Sequence, residues 1–153
     1  VYSSSKSSSN NGGFLIMSSS NRFQFYVDTT GSGGWVFIQN NINIVANQWY
    51  HIVSTWDGSN IKMYVDGVLQ TNTASVSQIV YSTSTSATMG RYVTNYFNGS
   101  IDEVALFDKA LTADQIKFDL YEPTALVGGV EKTADIENNT NLPTPVAWYR
   151  MGD

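Results

Sequence analysis

The chain has 153 residues, 42% apolar and 13% aromatic, which is enough to build the core of one domain and excludes wholesale disorder. Only 14% of the residues are charged and the net charge is −5, with Lys and Arg scattered singly, which argues against binding nucleic acid or anionic lipid. The absence of Cys excludes disulfides and thiolate metal sites, and no apolar run approaches the about 20 residues that a membrane-inserted helix needs.

The chain opens with a polar, low-complexity segment at 3–13, which predicts a loop or a hairpin tip. Short segments of alternating polarity follow it. In one of them Phe23, Phe25 and Val27 share a face, as period-two alternation in a strand requires. The strand-sized runs are, in chain order, 14–17, 22–28, 35–38, 42–45, 49–56, 61–66, 68–69, 78–81, 87–91 and 100–107.

The segment 49–56 (WYHIVSTW) carries the strongest strand signal. It is apolar or aromatic on both faces, which predicts a strand in the middle of a sheet rather than at an edge. The single histidine, His51, lies inside it, so we expect a hydrogen-bonded residue in or near the core rather than a ligand-binding group. Asp66-Gly67 predicts a two-residue type I′ hairpin, because both central positions of that turn need a positive φ.

Strand-sized runs separated by turn signals predict an all-β fold, an antiparallel sandwich of two sheets. One short helix is expected at about 113–121. Thr112 and Gln115 have the spacing of a capping box, and Pro123 is expected to end the helix near Tyr121 or Glu122. After Pro123 the chain has few large apolar residues, which predicts a linker over 123–145, before the strand-like end at 146–153.

Several short motifs occur in an order that is specific, although each motif alone is weak. They are WYHIV at 49–53, DG at 57–58, MYVDG at 63–67, MGR at 89–91, NGSIDEV at 98–104 and FDKALT at 107–112. Together they resemble a laminin G-like domain of the concanavalin A-like lectin/glucanase superfamily, in its pentraxin-like branch, over about residues 14–122. The resemblance implies a jelly roll of two antiparallel sheets that usually serves binding or adhesion.

The tail VAWYRMGD at 146–153 resembles the first strand of the same family, a strand that the start of the chain lacks. We therefore expect residues 1–122 to form the jelly-roll domain without its opening strand and 123–145 to form the linker. The tail would then be the first strand of a following repeat in a tandem array. Alternatively, it completes this sandwich or a neighbouring one, because an unpaired sheet edge is a template for aggregation.

Candidate ligand-binding residues lie in the predicted loop 91–97 (RYVTNYF), and they are Arg91, Tyr92, Asn95 and Tyr96. Aromatic rings stack on the apolar faces of sugars, and amides hydrogen-bond to sugar hydroxyls. The same residues would also suit packing beneath the loop or a contact between subunits.

Asp102 and Asp153 are candidate calcium ligands, because the resemblance implies that the first and last strands adjoin. Calcium takes carboxylate and carbonyl oxygens in proteins. The alternative for Asp102 is that its carboxylate braces a neighbouring turn. No other cofactor is expected.

Glycosidases of the superfamily place Glu-x-Asp-x-(x)-Glu on one strand, and none of Glu103, Glu122, Glu131 and Glu137 has that spacing. We therefore predict that the chain is not an enzyme. It is expected to be a lectin-like binding or adhesion module of a repetitive extracellular, cell-surface or virion-surface protein. Its expected partners are a glycan or other cell-surface ligand and neighbouring repeats or subunits. The alternative is a structural spacer or decoration domain in a virion or phage fibre or another surface appendage.

Overall fold

Antiparallel sheets form the framework of the computed structural model, which describes residues 2–4, 13–31, 34–81, 87–92, 94–124 and 134–151. The first sheet contains β1 (Tyr2–Ser4), β2 (Phe14–Ser19), β3 (Arg22–Asp28), β4 (Trp35–Gln39) and β9 (Ala87–Met89). Its spatial order is β4-β3-β2-β1-β9. The second sheet contains β5 (Ile52–Trp56), β6 (Asn60–Val65), β7 (Val68–Leu69) and β8 (Ala74–Ser75), and β6 pairs with the other three strands.

The main core lies between these two sheets. Alternate residues of a strand point to opposite faces, so one face of each sheet collects the apolar side chains. The buried members of this core are Phe23, Phe25, Val27 and Ile38 from the first sheet, and Ile61, Met63, Val65 and Val76 from the second sheet and the residue after β8. The prediction of an all-β antiparallel sandwich with a short helix is confirmed.

The hairpin between β6 and β7 has the predicted turn. Asp66 and Gly67 have φ values of 51° and 74°, as a type I′ turn requires. A Cβ atom on Gly67 would lie 2.9 Å from the ring of Tyr121, so glycine is also needed for the close approach of the helix.

The helix begins at the predicted capping box. The backbone N–H of Thr112 donates to the side-chain oxygen of Gln115 over 2.9 Å, and the N–H of Gln115 donates to the hydroxyl of Thr112 over 3.2 Å. Helical residues start at 113, wind as a π-helix over Gln115–Tyr121 and end in an α-helical turn at Glu122–Thr124. We call this helix α1.

Helix α1 continues past the predicted end at Tyr121 or Glu122. The N–H of Glu122 donates to the carbonyl of Lys117, five residues earlier, so the wide π turn is still hydrogen-bonded at that point. Pro123 lies in the last turn, where its missing N–H removes only a terminal hydrogen bond.

A second core lies on the other side of β6, beneath α1. Its buried members are Tyr64, Leu111, Ile116, Leu120, Ala134, Ile136 and Leu142. The last three belong to the predicted linker, so this part of it is packed against the helix. Asn139 and Asn141 also donate their side-chain N–H groups to the carboxylate of Asp119 on α1, over 3.2 and 2.9 Å.

Two pairs of short strands complete the described structure. β10 (Arg91–Tyr92) pairs with β11 (Asn95–Tyr96), and β12 (Val104–Leu106) pairs with β13 (Ala147–Tyr149). The strand-like tail thus lies beside β12 of its own chain. The division of the chain at residues 122 and 145 stays a prediction. No helix within the described residues is long and apolar enough to cross a membrane.

Three predicted strand features are wrong. Segments 42–45 and 78–81 form no strand, because among the described residues each has a single backbone–backbone hydrogen bond, from Ile44 N–H to Asn21 O and from Val80 N–H to Asp28 O. The segment 49–56 becomes a strand only at Ile52, and within the described residues β5 pairs with β6 alone. It is therefore at an edge of its sheet, and Trp49 is 57% exposed.

Candidate ligand-binding face

The four predicted ligand-binding residues lie together on the β10–β11 hairpin. Arg91 is opposite Tyr96, and Tyr92 is opposite Asn95. The hairpin is closed by a hydrogen bond of 2.8 Å from the N–H of Phe97 to the carbonyl of Gly90. The segment predicted to be a loop is thus a short two-stranded ribbon.

The ribbon separates the four residues into two pairs, because successive strand residues point to opposite faces. Arg91 and Tyr96 are exposed, and Tyr96 at 76% exposure is the most accessible large aromatic side chain of the described residues. Tyr92 is half-buried. The four side chains therefore do not form one surface, and their role in binding stays a prediction.

One surface of the first sheet faces away from the main core. On this surface the rings of Tyr26 and Phe37 are stacked, with centroids 4.8 Å apart and an angle of 20° between their planes. They are a directly opposed pair of β3 and β4. Phe37 is 50% exposed, so part of its ring is open to a ligand.

Two glutamines extend this surface by one position along the strands. Gln24 is directly opposite Gln39, and its side-chain N–H donates to the Gln39 oxygen over 3.3 Å. The Tyr26 hydroxyl donates to the Gln24 oxygen over 3.0 Å. We call Gln24, Tyr26, Phe37 and Gln39 the aromatic–amide face. Each glutamine amide has two N–H donors, and the hydrogen bonds between these side chains do not use all of them. The remaining donors are available for the hydroxyl groups of a ligand.

The pKa of the Tyr26 hydroxyl connects this face to the hairpin. Burial raises that pKa above its usual value, and the neighbouring Tyr92 phenol raises it further, because two phenolates would repel each other. Tyr26 is therefore a neutral hydrogen-bonding group at any physiological pH.

The aromatic–amide face was not predicted from the sequence, although the sequence carries a signal for it. Gln24 and Tyr26 alternate with the apolar residues of 22–28, and Phe37 and Gln39 alternate with those of β4. The glycine-rich turn between the two runs sets the register that pairs Tyr26 with Phe37. Pairing the two runs across this turn would have placed these side chains together.

The candidate calcium ligand Asp102 braces backbone groups. One of its carboxylate oxygens accepts hydrogen bonds from the N–H of Glu103 over 2.8 Å and the N–H of Met151 over 3.0 Å. Asp153 lies outside the described residues. Among the described residues no three His, Cys, Asp or Glu side chains are grouped as metal ligands, and a calcium site at Asp102 stays a prediction.

His51 lines an apolar cavity of about 620 Å³ that runs along the unpaired side of β5. Its Nδ1 atom and the hydroxyl of Ser54 are buried without a hydrogen-bond partner among the described residues. The expected position near the core is found, but the hydrogen bond expected for this histidine is absent at Nδ1. Burial lowers the pKa of His51, and the nearby Asp66 carboxylate offsets part of that effect.

This lowered pKa predicts that the fold loses stability in mild acid. The unfolded chain, with a histidine pKa of about 6.5, binds the proton more readily than the folded chain, so the free energy of unfolding falls as the pH drops below about 6.5. Urea unfolding at pH 7, 6 and 5 measures this slope. His51→Gln is expected to flatten it, and an unchanged slope in that variant would assign the acid sensitivity to other groups.

A match to a family model agrees with this architecture. A laminin G family model, described as concanavalin A-like lectin/glucanases superfamily, matches residues 1–117. No curated protein gives a significant match. A crystal structure of part of an S-layer domain-containing protein from Clostridium thermocellum is 24% identical, with a TM-score of 0.41, over 74% of this chain and 58% of that one. The chain thus spans less than two thirds of that structure. On the family match, the chain belongs to the laminin G family of the concanavalin A-like lectin/glucanases superfamily.

Proposed function

We propose that this chain is a non-enzymatic, glycan-binding module of an extracellular or surface protein. The observation that carries the proposal is the aromatic–amide face, where the half-exposed ring of Phe37 adjoins a hydrogen-bonded row of amides. A sugar ring has an apolar face that stacks on an aromatic ring, and its hydroxyls bond to amide groups. The membership of a lectin-containing superfamily supports the same function.

The charged side chains of β3 both bond within the fold, which supports a neutral glycan as the ligand, and the guanidinium of Arg22 donates to the carbonyl of Asn40 over 3.3 Å. The carboxylate that β3 and β4 contribute is that of Asp28, which is fully buried and accepts hydrogen bonds from the N–H groups of Thr30 and Gly31. Its carboxylate therefore stabilises the turn that follows β3 and is not at the surface. Retaining glycosidases need two carboxyl groups about 5 Å apart, and these two strands supply none at the surface. The face is suited to binding a sugar rather than to cleaving it.

Replacing Phe37 with alanine tests the proposal. We expect Phe37→Ala to weaken the binding of a neutral oligosaccharide about tenfold, because it removes the open ring of the stack. The ligand is first selected on a glycan array, and the affinity is then measured by NMR titration of the backbone amides. The largest shifts are expected in β3 and β4.

Phe118→Ala is the matched control, since Phe118 on α1 is exposed to the same extent as Phe37, at 51%. It should leave the affinity unchanged. Equal losses in the two variants would contradict binding at the aromatic–amide face. A chain that binds no sugar at millimolar concentration would contradict the proposed function and favour the structural spacer.

A further inference from the structure

Two consecutive carboxylates hold β13 against β12. Glu103 accepts a hydrogen bond of 2.6 Å from the indole N–H of Trp148 and one of 3.4 Å from Nε of Arg150. Asp102 accepts the backbone N–H of Met151 over 3.0 Å. The side chains of Asp102 and Glu103 thus bond to Trp148 in β13 and to Arg150 and Met151 just after it.

The backbone at Glu103 makes this arrangement possible. Its φ is +50°, in the left-handed region that a residue with a Cβ atom rarely adopts. In an extended strand, two consecutive side chains point to opposite faces. The left-handed residue instead lets Asp102 and Glu103 both bond to the incoming strand. Strain of this kind persists where surrounding contacts repay it, and the carboxylate contacts to β13 are those contacts.

β13 has one apolar side chain on the second core, that of Trp148. It pairs with β12 through three residues, and Tyr149 and the preceding Val146 are exposed. Its attachment therefore depends on the ladder, on the carboxylates and on Trp148, and β13 of a second copy would bring the same three. Because these acceptors are acidic and the strand carries Arg150, the two surfaces are complementary in charge.

A short hinge separates β13 from the packed chain before it. Leu142 is buried in the second core, and the carbonyl of Asn141 accepts a hydrogen bond from the side chain of Gln115 on α1. Between Leu142 and Val146 the chain reads Pro143-Thr144-Pro145. Each proline fixes its φ and restrains the residue before it, which makes the hinge stiff and extended.

From these contacts we infer that the β12 edge, with Asp102 and Glu103, is a strand-acceptor site that also takes β13 from a second copy of this chain. A second copy offers the same strand and the same acceptor, so reciprocal exchange forms the same hydrogen bonds between two molecules. The chain's own strand is favoured only by its effective concentration, which is in the millimolar range for a short tether. The exchange therefore requires high protein concentration or a hinge too short to reach back.

Shortening the hinge in the full chain tests the inference. Deleting Thr144 and Pro145 prevents β13 from reaching its own acceptor, so this variant is expected to be mainly a dimer, measured by size-exclusion chromatography with light scattering. The unaltered chain is expected to form dimers only near about 1 mM. Mixing isotope-labelled and unlabelled protein should then give mixed dimers in native mass spectrometry.

Glu103→Gln keeps the side-chain shape but removes the charge that faces Arg150. In the shortened chain it is expected to raise the dissociation constant of the dimer at least threefold, whereas Asp108→Asn, at an exposed carboxylate just after β12, should not change it. A shortened chain that is folded by circular dichroism yet monomeric up to about 1 mM would overturn the inference. Dimers insensitive to Glu103→Gln would overturn it equally, because they would use another surface.

Discussion

Replacing Ile61 with alanine is expected to lower the free energy of unfolding by about 2–5 kcal/mol. Ile61 is fully buried on β6, between the two sheets, and its neighbour across the ladder is Trp56. The substitution removes three carbon atoms from a closely packed interior and leaves a cavity that the rigid strands cannot fill. Urea unfolding monitored by tryptophan fluorescence measures the change.

Val68→Ala is the control for this experiment. Val68 lies on the adjoining β7, pairs with Val65 and is 63% exposed, so its truncation should change the free energy of unfolding by less than about 0.5 kcal/mol. Similar losses in both variants would mean that Ile61 does not lie between packed sheets. A larger loss of stability for Ile61→Ala than for Val68→Ala would show that this face of β6 is packed in the interior.

Features that depend on residues close in sequence were predictable. The alternation of Ile61, Met63 and Val65 places all three in the main core, as expected from period two. The Asp66-Gly67 turn and the capping box at the start of α1 are also found, because each is decided within four residues. Local steric and hydrogen-bonding rules are enough for these elements.

Features that depend on distant partners were not predictable from composition. Residues 42–45 have the polarity of a strand, yet in the part of the chain that the structure describes the N–H of Ile44 bonds to a single backbone group, the carbonyl of Asn21. A strand requires a neighbour over several residues, and the polarity of a segment does not state whether one is available. The same reason applies to 49–51, which are apolar but precede β5.

The candidate site illustrates the same limit. The residues of the 91–97 segment were singled out for their chemistry, which is a local property, and they do occur together on a hairpin. The aromatic–amide face depends on the register between β3 and β4, where a shift by one residue would separate Tyr26 from Phe37. The turn between these strands therefore decides the surface as much as the side chains do.

Asn40 is a further residue whose role depends on distant partners. In the sequence, Asn40-Asn41 marks a break between two apolar runs, as polar residues in turns do. In the structure Asn40 is fully buried beside β3. Its side-chain oxygen accepts the N–H of Phe23, and its side-chain nitrogen donates to the carbonyl of Ile42, both over 2.9 Å.

Asn40→Ala is expected to lower the free energy of unfolding by about 1–3 kcal/mol, because it leaves the buried N–H of Phe23 without a partner, whereas the carbonyl of the exposed Ile42 can bond to water. Asn41→Ala is the control, since Asn41 is exposed and accepts a long hydrogen bond of 3.4 Å from Thr71 N–H. It should cost less than about 0.5 kcal/mol. Equal effects at the two positions would contradict the bridging role of Asn40.

Asn40→Asp separates the two hydrogen bonds by pH. The carboxylate still accepts the N–H of Phe23, but when ionised it cannot donate to Ile42, and its burial raises its pKa above the about 3.9 of an unfolded chain. The folded state then binds the proton more readily, so the variant is expected to be closest to the unaltered chain in acid and to lose stability as the pH rises through the raised pKa. This dependence has the opposite sign to that of His51. The difference in unfolding free energy between Asn40→Asp and the unaltered chain at pH 4 and pH 7 therefore measures the cost of ionising this buried position, which includes the loss of the bond to Ile42.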